Sequence, residues 1–210
     1  MAEATLPSSM DRRRRRRRLR LIPLVGYTFV ALGLAYFFEQ RPSTTVVFVR
    51  HAETETADLA ADPPLSARGR QRAEVLADFL DDIDVVTGVN AIYASDRRRT
   101  QETAAPLAAR LKLEVAIEDH YDVDGFMRRM LRDHGGEIVL IVSHDDTIAP
   151  LVDELHGSKN LPKLGPDNFD ELYIVTIPWY GKVKTLRLHY GELSPALDFS
   201  GGATTFGGGP

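Results

Sequence analysis

TTVVFVRHAET, residues 44–54, is the stretch on which the reading of the fold turns. Val46 to Val49 form a β-branched and aromatic run, the composition of a strand buried on both faces of a parallel sheet. The run stops at Arg50, His51 and Glu53. In an open α/β sheet, ligands bind in the crevice beyond the carboxyl ends of the strands, so three ionisable groups there mark a candidate site. EIVLIVSHDDTI, residues 137–148, repeats the arrangement: apolar Ile138 to Val142 ends in Ser143, His144, Asp145 and Asp146.

A third strand signal, NAIYAS at residues 90–95, ends at Ser95 and is followed by Arg97, Arg98 and Arg99. Between the strands lie helical patterns. Ser66, after two prolines, is a natural N-cap, and Ala73, Leu76 and Leu80, with Val75 and Phe79, give the helix behind it an apolar face. A second helix is entered near Arg99, with Pro106 expected to start, kink or interrupt a turn. A third runs from Asp124 to His134. Strand and helix in alternation predict an α/β fold, a mostly parallel sheet with right-handed crossovers and helices on both faces. ELYIVTIP (residues 171–178) and VKTLRLHY (residues 183–190) add two later strands, as a hairpin through residues 179–182 or as sheet-edge pieces. The Gly-rich end, SGGATTFGGGP, reads as a flexible tail. The globular domain is thus expected over residues 46–193, with the tail over 194–210.

The 210 residues are 43% hydrophobic, enough for one domain with a full core plus an appendage. The net charge of -4 hides an asymmetry, because nine of the 26 basic residues but three of the 30 acidic ones lie within residues 1–45. The absence of cysteine excludes disulfides, a thiolate nucleophile and zinc–thiolate sites.

The basic head, residues 1–20, holds eight arginines between Arg12 and Arg20, directly before the uncharged, mostly apolar residues 21–38. As a helix, those residues would span about 27 Å, close to the hydrocarbon thickness of a bilayer. The expectation is a transmembrane signal anchor, followed by a polar linker over residues 39–45. Arginines on its amino side put the N-terminus in the cytoplasm and the domain across the membrane, periplasmic or at the cell surface. A cleaved signal peptide, and hence a secreted domain, is the competing reading. Nucleic acid is not an expected partner, since topology accounts for the arginine run.

Arginines and histidines gathered at strand ends describe a site for a phosphoryl group. Arginine offers planar, permanently charged, multidentate donors to phosphate oxygens, and a neutral imidazole nitrogen is a nucleophile near pH 7. The motifs VRHAET, SDRRRTQETA and VSHDDT, in that order, resemble the histidine phosphatase superfamily, also called phosphoglycerate mutase-like, over about residues 44–191. They are most similar to its compact, phosphohistidine-phosphatase-like branch.

The resemblance implies a metal-independent phosphatase without a cofactor, acting on a phosphorylated small molecule or phosphoprotein. It makes His51 the nucleophile that becomes phosphorylated, Arg50 and Arg99 the phosphate clamps, and His144 a further donor to the transferring group. Arg99 is chosen over Arg97 and Arg98 because it lies four residues after Ser95 and four before Thr103. The general acid is expected in AIEDHYDVDGF, where Asp122, beside Tyr121, is preferred while Glu118, Asp119 and Asp124 compete and the slot can also be empty. Glu53 is expected either to orient the arginine pair on the substrate or to stand at a helix start. Lys159 and Lys163 are surface lysines that could meet a charged substrate.

The sequence also departs from the family. The mutase-like continuation of the opening motif is missing, since Glu53 and Thr54 lead to Ala57, and a body of about 150 residues has no room for a mutase's substrate-covering insertion. Mutase activity is therefore not expected. Asp145 and Asp146 stand where small or neutral residues are usual and would repel a phosphate unless they face away. The alternative function is accordingly a catalytically weak member that binds a phosphorylated partner at the membrane.

Overall fold

The computed structural model describes residues 22–23, 25–37, 42–55, 62–81, 88–119, 121–162, 164–165 and 167–192. The chain divides into two units, residues 1–41 and 42–210.

In the first unit residues 25–37 form helix α1, which exposes Tyr27, Phe29, Val30, Leu32 and Tyr36. Among the described residues no helix is long and apolar enough to cross a membrane. The basic segment 1–20 lies outside the described residues, as do residues 21, 24 and 38 of the expected span, residues 39–41 of the linker and the tail 194–210.

The second unit is built on one six-stranded sheet, ordered β3-β2-β4-β1-β5-β6. The strands are β1 (Thr44–Arg50), β2 (Ala91–Ala94), β3 (Val115–Ile117), β4 (Ile138–Ser143), β5 (Glu171–Ile177) and β6 (Lys184–His189). β3, β2, β4 and β1 run parallel, whereas β5 pairs antiparallel with β1 and β6 antiparallel with β5. The sheet is therefore mixed. The expectation of a mostly parallel sheet describes its first four strands, where helical crossovers force parallel pairing, and the last two form a hairpin because the short turn at residues 178–183 permits nothing else. β1 starts at Thr44, two residues inside the expected linker, with Thr45 N–H bonded to the Glu137 carbonyl at 2.9 Å.

The β1 side chains alternate between two cores, as the two-residue period of a strand requires. Val46 and Phe48 pack with Phe126, Met127, Met130, Ile148 and Leu151, from helices α4 (Val123–Asp133) and α5 (Ile148–Glu154). Val47 and Val49 pack with Leu76, Leu80 and Leu107, from helices α2 (Ala67–Asp81) and α3 (Arg98–Leu111). Both faces are covered, which explains why the strand reads as an unbroken apolar run.

The helix signals have local causes. Ser66 Oγ accepts from Gly69 N–H at 3.0 Å, capping α2. α3 passes through Pro106 without ending, because buried Thr103, Ala104, Leu107 and Ala108 bracket the proline and their packing outweighs the missing hydrogen bond. It stops at Lys112, which adopts a left-handed conformation (φ 56°). α4 begins at Val123 and ends at Asp133, one residue earlier at each end than expected. α5 has no counterpart in the sequence reading, since its seven residues are too few to show a helical period.

Candidate active site

The register of the sheet creates the site. β1 and β4 pair in parallel with Arg50 opposite Ser143, and His51 N–H donates to the Ser143 carbonyl at 3.0 Å. His51 and His144 therefore leave adjacent strands at the same height, their rings edge to face with centroids 5.5 Å apart. Both are buried.

Each imidazole has a defined state. His51 Nδ1 lies 2.8 Å from the Ala52 carbonyl, which can only accept, so Nδ1 carries the proton and Nε2 keeps its lone pair. Burial lowers the His51 pKa to about 4, and the charges of Arg50 and Arg99 push the same way against the Ala52 hydrogen bond. At neutral pH the ring is an uncharged base and nucleophile. Burial, followed by the Arg99 charge, likewise lowers the His144 pKa. His144 Nε2 lies 2.9 Å from Ser95 Oγ and, because the guanidinium facing Nδ1 can only donate, carries the proton and donates to that hydroxyl. Its Nδ1 faces Arg99, 3.5 Å from a guanidinium nitrogen.

The two arginines are held differently. One terminal nitrogen of Arg50 donates to the carbonyls of Gly165 (2.8 Å) and Asn168 (3.2 Å), while its guanidinium carbon lies 4.4 Å from the centre of the Phe169 ring. The other terminal nitrogen stands 3.8 Å from Asp145. Burial lowers the Arg50 pKa, opposed chiefly by Asp145. Arg99 turns toward His144 and stands 3.7 Å from Asp62. Arg97 and Arg98 point outward to Asp96 and Glu102. Thr103 ties the loop after His51 to the helix bearing Arg99: its hydroxyl accepts from Ala52 N–H at 2.9 Å and donates to the Arg99 carbonyl at 2.7 Å.

His51, Arg50, Arg99 and His144 are brought together; Glu53 and Asp122 are engaged elsewhere. The Glu53 carboxylate is forked by buried Arg72, with three N–O distances of 2.9 Å, and does not orient Arg50 or Arg99. Asp122 is the N-cap of α4, accepting from Gly125 N–H at 3.2 Å and meeting Arg129 at 3.3 Å. Glu118 also pairs with Arg129, at 2.8 Å, and Asp124 with Arg128, at 2.8 Å, while Asp119 accepts from Tyr121 N–H. Glu118, Asp122 and Asp124 are thus paired with arginines of α4, and Asp119 with the loop before it. Lys159 stands 3.9 Å from Asp153, and Lys163 lies outside the described residues.

Among the described residues, the carboxylates paired with the clamps are Asp145 and Asp62. Asp145 does not face away, since it reaches Arg50 at 3.8 Å, and with Asp146 it lines a neighbouring cavity of about 320 Å³ alongside Ile148, Leu161, Leu164 and Tyr173. Asp62 and the Gly165–Phe169 cradle were not legible in the sequence. Each meets its arginine across more than 35 residues, with no motif to announce it.

Residues 46–122 match the family model of the histidine phosphatase superfamily, branch 1. That match spans little more than a third of the chain, and the likeness to the superfamily rests on this segment. Over 80 residues it is 46% identical to the uncharacterized protein Rv0525 of Mycobacterium tuberculosis strain H37Rv, a match covering 36% of this chain and 38% of that protein. Phosphoserine phosphatase 1 of Hydrogenobacter thermophilus is 38% identical over 81 residues, covering 35% of this chain and 36% of that one. The matches thus span little more than a third of these curated relatives. Among solved structures, the histidine phosphatase fold is shared with the protein histidine phosphatase SixA complexed with tungstate (TM-score 0.56, 20% identity, 69% of this chain and 96% of that one). The mycobacterial glucosyl-3-phosphoglycerate phosphatase Rv2419c gives a TM-score of 0.53 at 17% identity, over 70% of this chain and 98% of that one.

Proposed function

We propose that this protein is a histidine phosphatase that hydrolyses a phosphomonoester or phosphohistidine through a phosphohistidine on His51. The observation that carries the reading is the unprotonated Nε2 of a buried, neutral His51 beside Arg50, Arg99 and His144. Nε2 attacks phosphorus, the P–N bond forms, and the bond to the leaving oxygen or nitrogen breaks. Arg50, Arg99 and His144 neutralise charge on the equatorial oxygens, where clamps act most strongly in the transition state. Asp145, 3.8 Å from the Arg50 clamp, is the carboxyl positioned to pass a proton to the leaving atom. Its carboxylate then takes a proton from the water that attacks the phosphohistidine, releasing orthophosphate and free His51. No step requires a metal. The relatives and fold neighbours named as phosphatases support this reaction class.

The test uses the full chain and an aryl phosphate, following orthophosphate release and trapping acid-labile phosphoprotein beside His51→Ala. Release lost in the variant, with label on His51, supports the reading. Orthophosphate binding without release or label supports the alternative of a weak enzyme that holds a phosphorylated partner, which the carboxylate on the Arg50 clamp favours.

We further propose that residues 21–38 anchor the chain in a membrane with the catalytic domain outside the cytoplasm. The arginine run before them and the exposed apolar side chains of α1 support this. Topology reporters at the C-terminus test it, and a reporter active only in the cytoplasm would sink the idea.

A further inference from the structure

Arg50 is held by backbone carbonyls, which has an electrostatic purpose. The carbonyls and the aromatic face orient the guanidinium without neutralising it, while Asp145 reaches its other terminal nitrogen only at 3.8 Å. The orientation of this clamp then depends on whatever holds the turn bearing Gly165, Asn168 and Phe169.

That turn is fastened from the sheet side. Asn168 N–H donates to the Gly165 carbonyl at 3.1 Å, closing the turn, and the Asn168 amide nitrogen donates to Glu171 Oε1 at 3.1 Å. Glu171, at the start of β5, is 2% exposed. Its Oε2 accepts from Tyr173 hydroxyl at 2.7 Å and from Arg187 Nε at 2.9 Å, and a second Arg187 nitrogen reaches Oε1. Two further ties join the same turn to the strand end: Tyr190 hydroxyl to the Phe169 carbonyl at 2.9 Å, and His189 to Asp170 at 2.9 Å. A carboxylate this buried is costly to keep unless its partners are complete. Here Arg187 supplies the charge and Asn168 is the partner that leads to the site.

We propose that Asn168 and Glu171 are positioning residues for the Arg50 clamp, a buried Arg187–Glu171–Asn168 relay that aims the guanidinium at the phosphoryl group. The inference rests on Arg50 being a phosphate ligand, as read above. Asn168 touches the clamp only through its carbonyl, so its side chain can be changed without removing an Arg50 contact directly.

The experiment measures orthophosphate affinity of the full chain by titration calorimetry, which needs no turnover. Asn168→Ala and Asn168→Asp, the second replacing the donor by a like charge facing Glu171, should each weaken orthophosphate about 10-fold, the scale of a misaimed ligand. In an Arg50→Ala background Asn168→Ala should cost nothing further, whereas in Arg99→Ala its loss of about 10-fold should persist. A merely structural role would give the same loss in both backgrounds. Folded variants that bind within about twofold of wild type, or equal losses in the two backgrounds, overturn the relay while leaving the clamp reading intact. A wild-type chain that does not bind orthophosphate overturns the clamp reading and the relay together. Should the Asn168 variants not fold, Glu171→Gln supplies the same comparison, because it keeps the shape and alters only the oxygens that hold the relay.

Discussion

His51 and His144 stand edge to face, ring centroids 5.5 Å apart, because the residues before them, Arg50 and Ser143, are paired across β1 and β4. The strand pairing fixes the backbone from which each ring projects. His51→Ala should abolish turnover of an aryl phosphate, a loss above about 10³-fold, and His144→Ala should lower kcat about 10²-fold, as removal of one preorganised donor does. Steady-state kinetics on variants with wild-type circular dichroism checks this. Unchanged kcat in His51→Ala would exclude the phosphohistidine route.

The depressed pKa of His51 has two consequences with one sign. The nucleophile stays neutral until pH approaches 4, so the acid limb of kcat/KM should not contain the usual histidine step near 6.5. Between pH 6.5 and about 4 the unfolded chain binds a proton that the folded chain refuses. Stability is therefore complete above about 6.5 and falls with pH across that window, by up to about 3 kcal/mol. Urea melts of wild type and His51→Ala at pH 7 and 4.5 measure it, and the variant should lose less stability on acidification.

Asp145 and Asp122 can be separated by leaving group and by stability. Asp145→Asn should slow an alkyl phosphate about 10²-fold and an aryl phosphate far less, since an aryl oxide leaves without a proton. Asp122→Ala should leave kcat unchanged and cost about 1 kcal/mol, the value of the α4 N-cap it removes. A large kcat loss in Asp122→Ala would return the acid to the segment after β3.

Gly69 lies where α2 crosses the nucleophile loop, and a Cβ there would sit 2.0 Å from the Glu53 carbonyl oxygen. Gly69→Ala must push the loop away and should lower stability by about 2 kcal/mol or more. Chemical denaturation reads the loss. A variant as stable as wild type would mean the helix can retreat without cost.

Much of the fold was legible locally. The apolar runs of β1 and β4 have the composition that burial on both faces selects, and Ser66 sits where a cap is needed. That Arg50, His51, Arg99 and His144 come together follows from their places at and just beyond strand ends. The misreadings lie where local pattern carries no information. Seven-residue α5 is too short for a period, and although the short connection after β5 announces the β5–β6 hairpin, the antiparallel pairing of β5 with β1 is a long-range choice. Glu53 and Asp122 are acids in plausible places whose partners, Arg72 and Arg129, are chosen by packing.

By itself the sequence determined which strands are buried and which residues stand at their ends, because both are written in neighbouring side chains along one chain. Tertiary structure decided which charges face one another: Asp145 with Arg50, Asp62 with Arg99, and the carbonyls of Gly165 and Asn168 with the Arg50 guanidinium. Coulombic and hydrogen-bond partners act over a few ångströms in space, and residues 37 to 118 apart in the chain have no local signal that records their meeting.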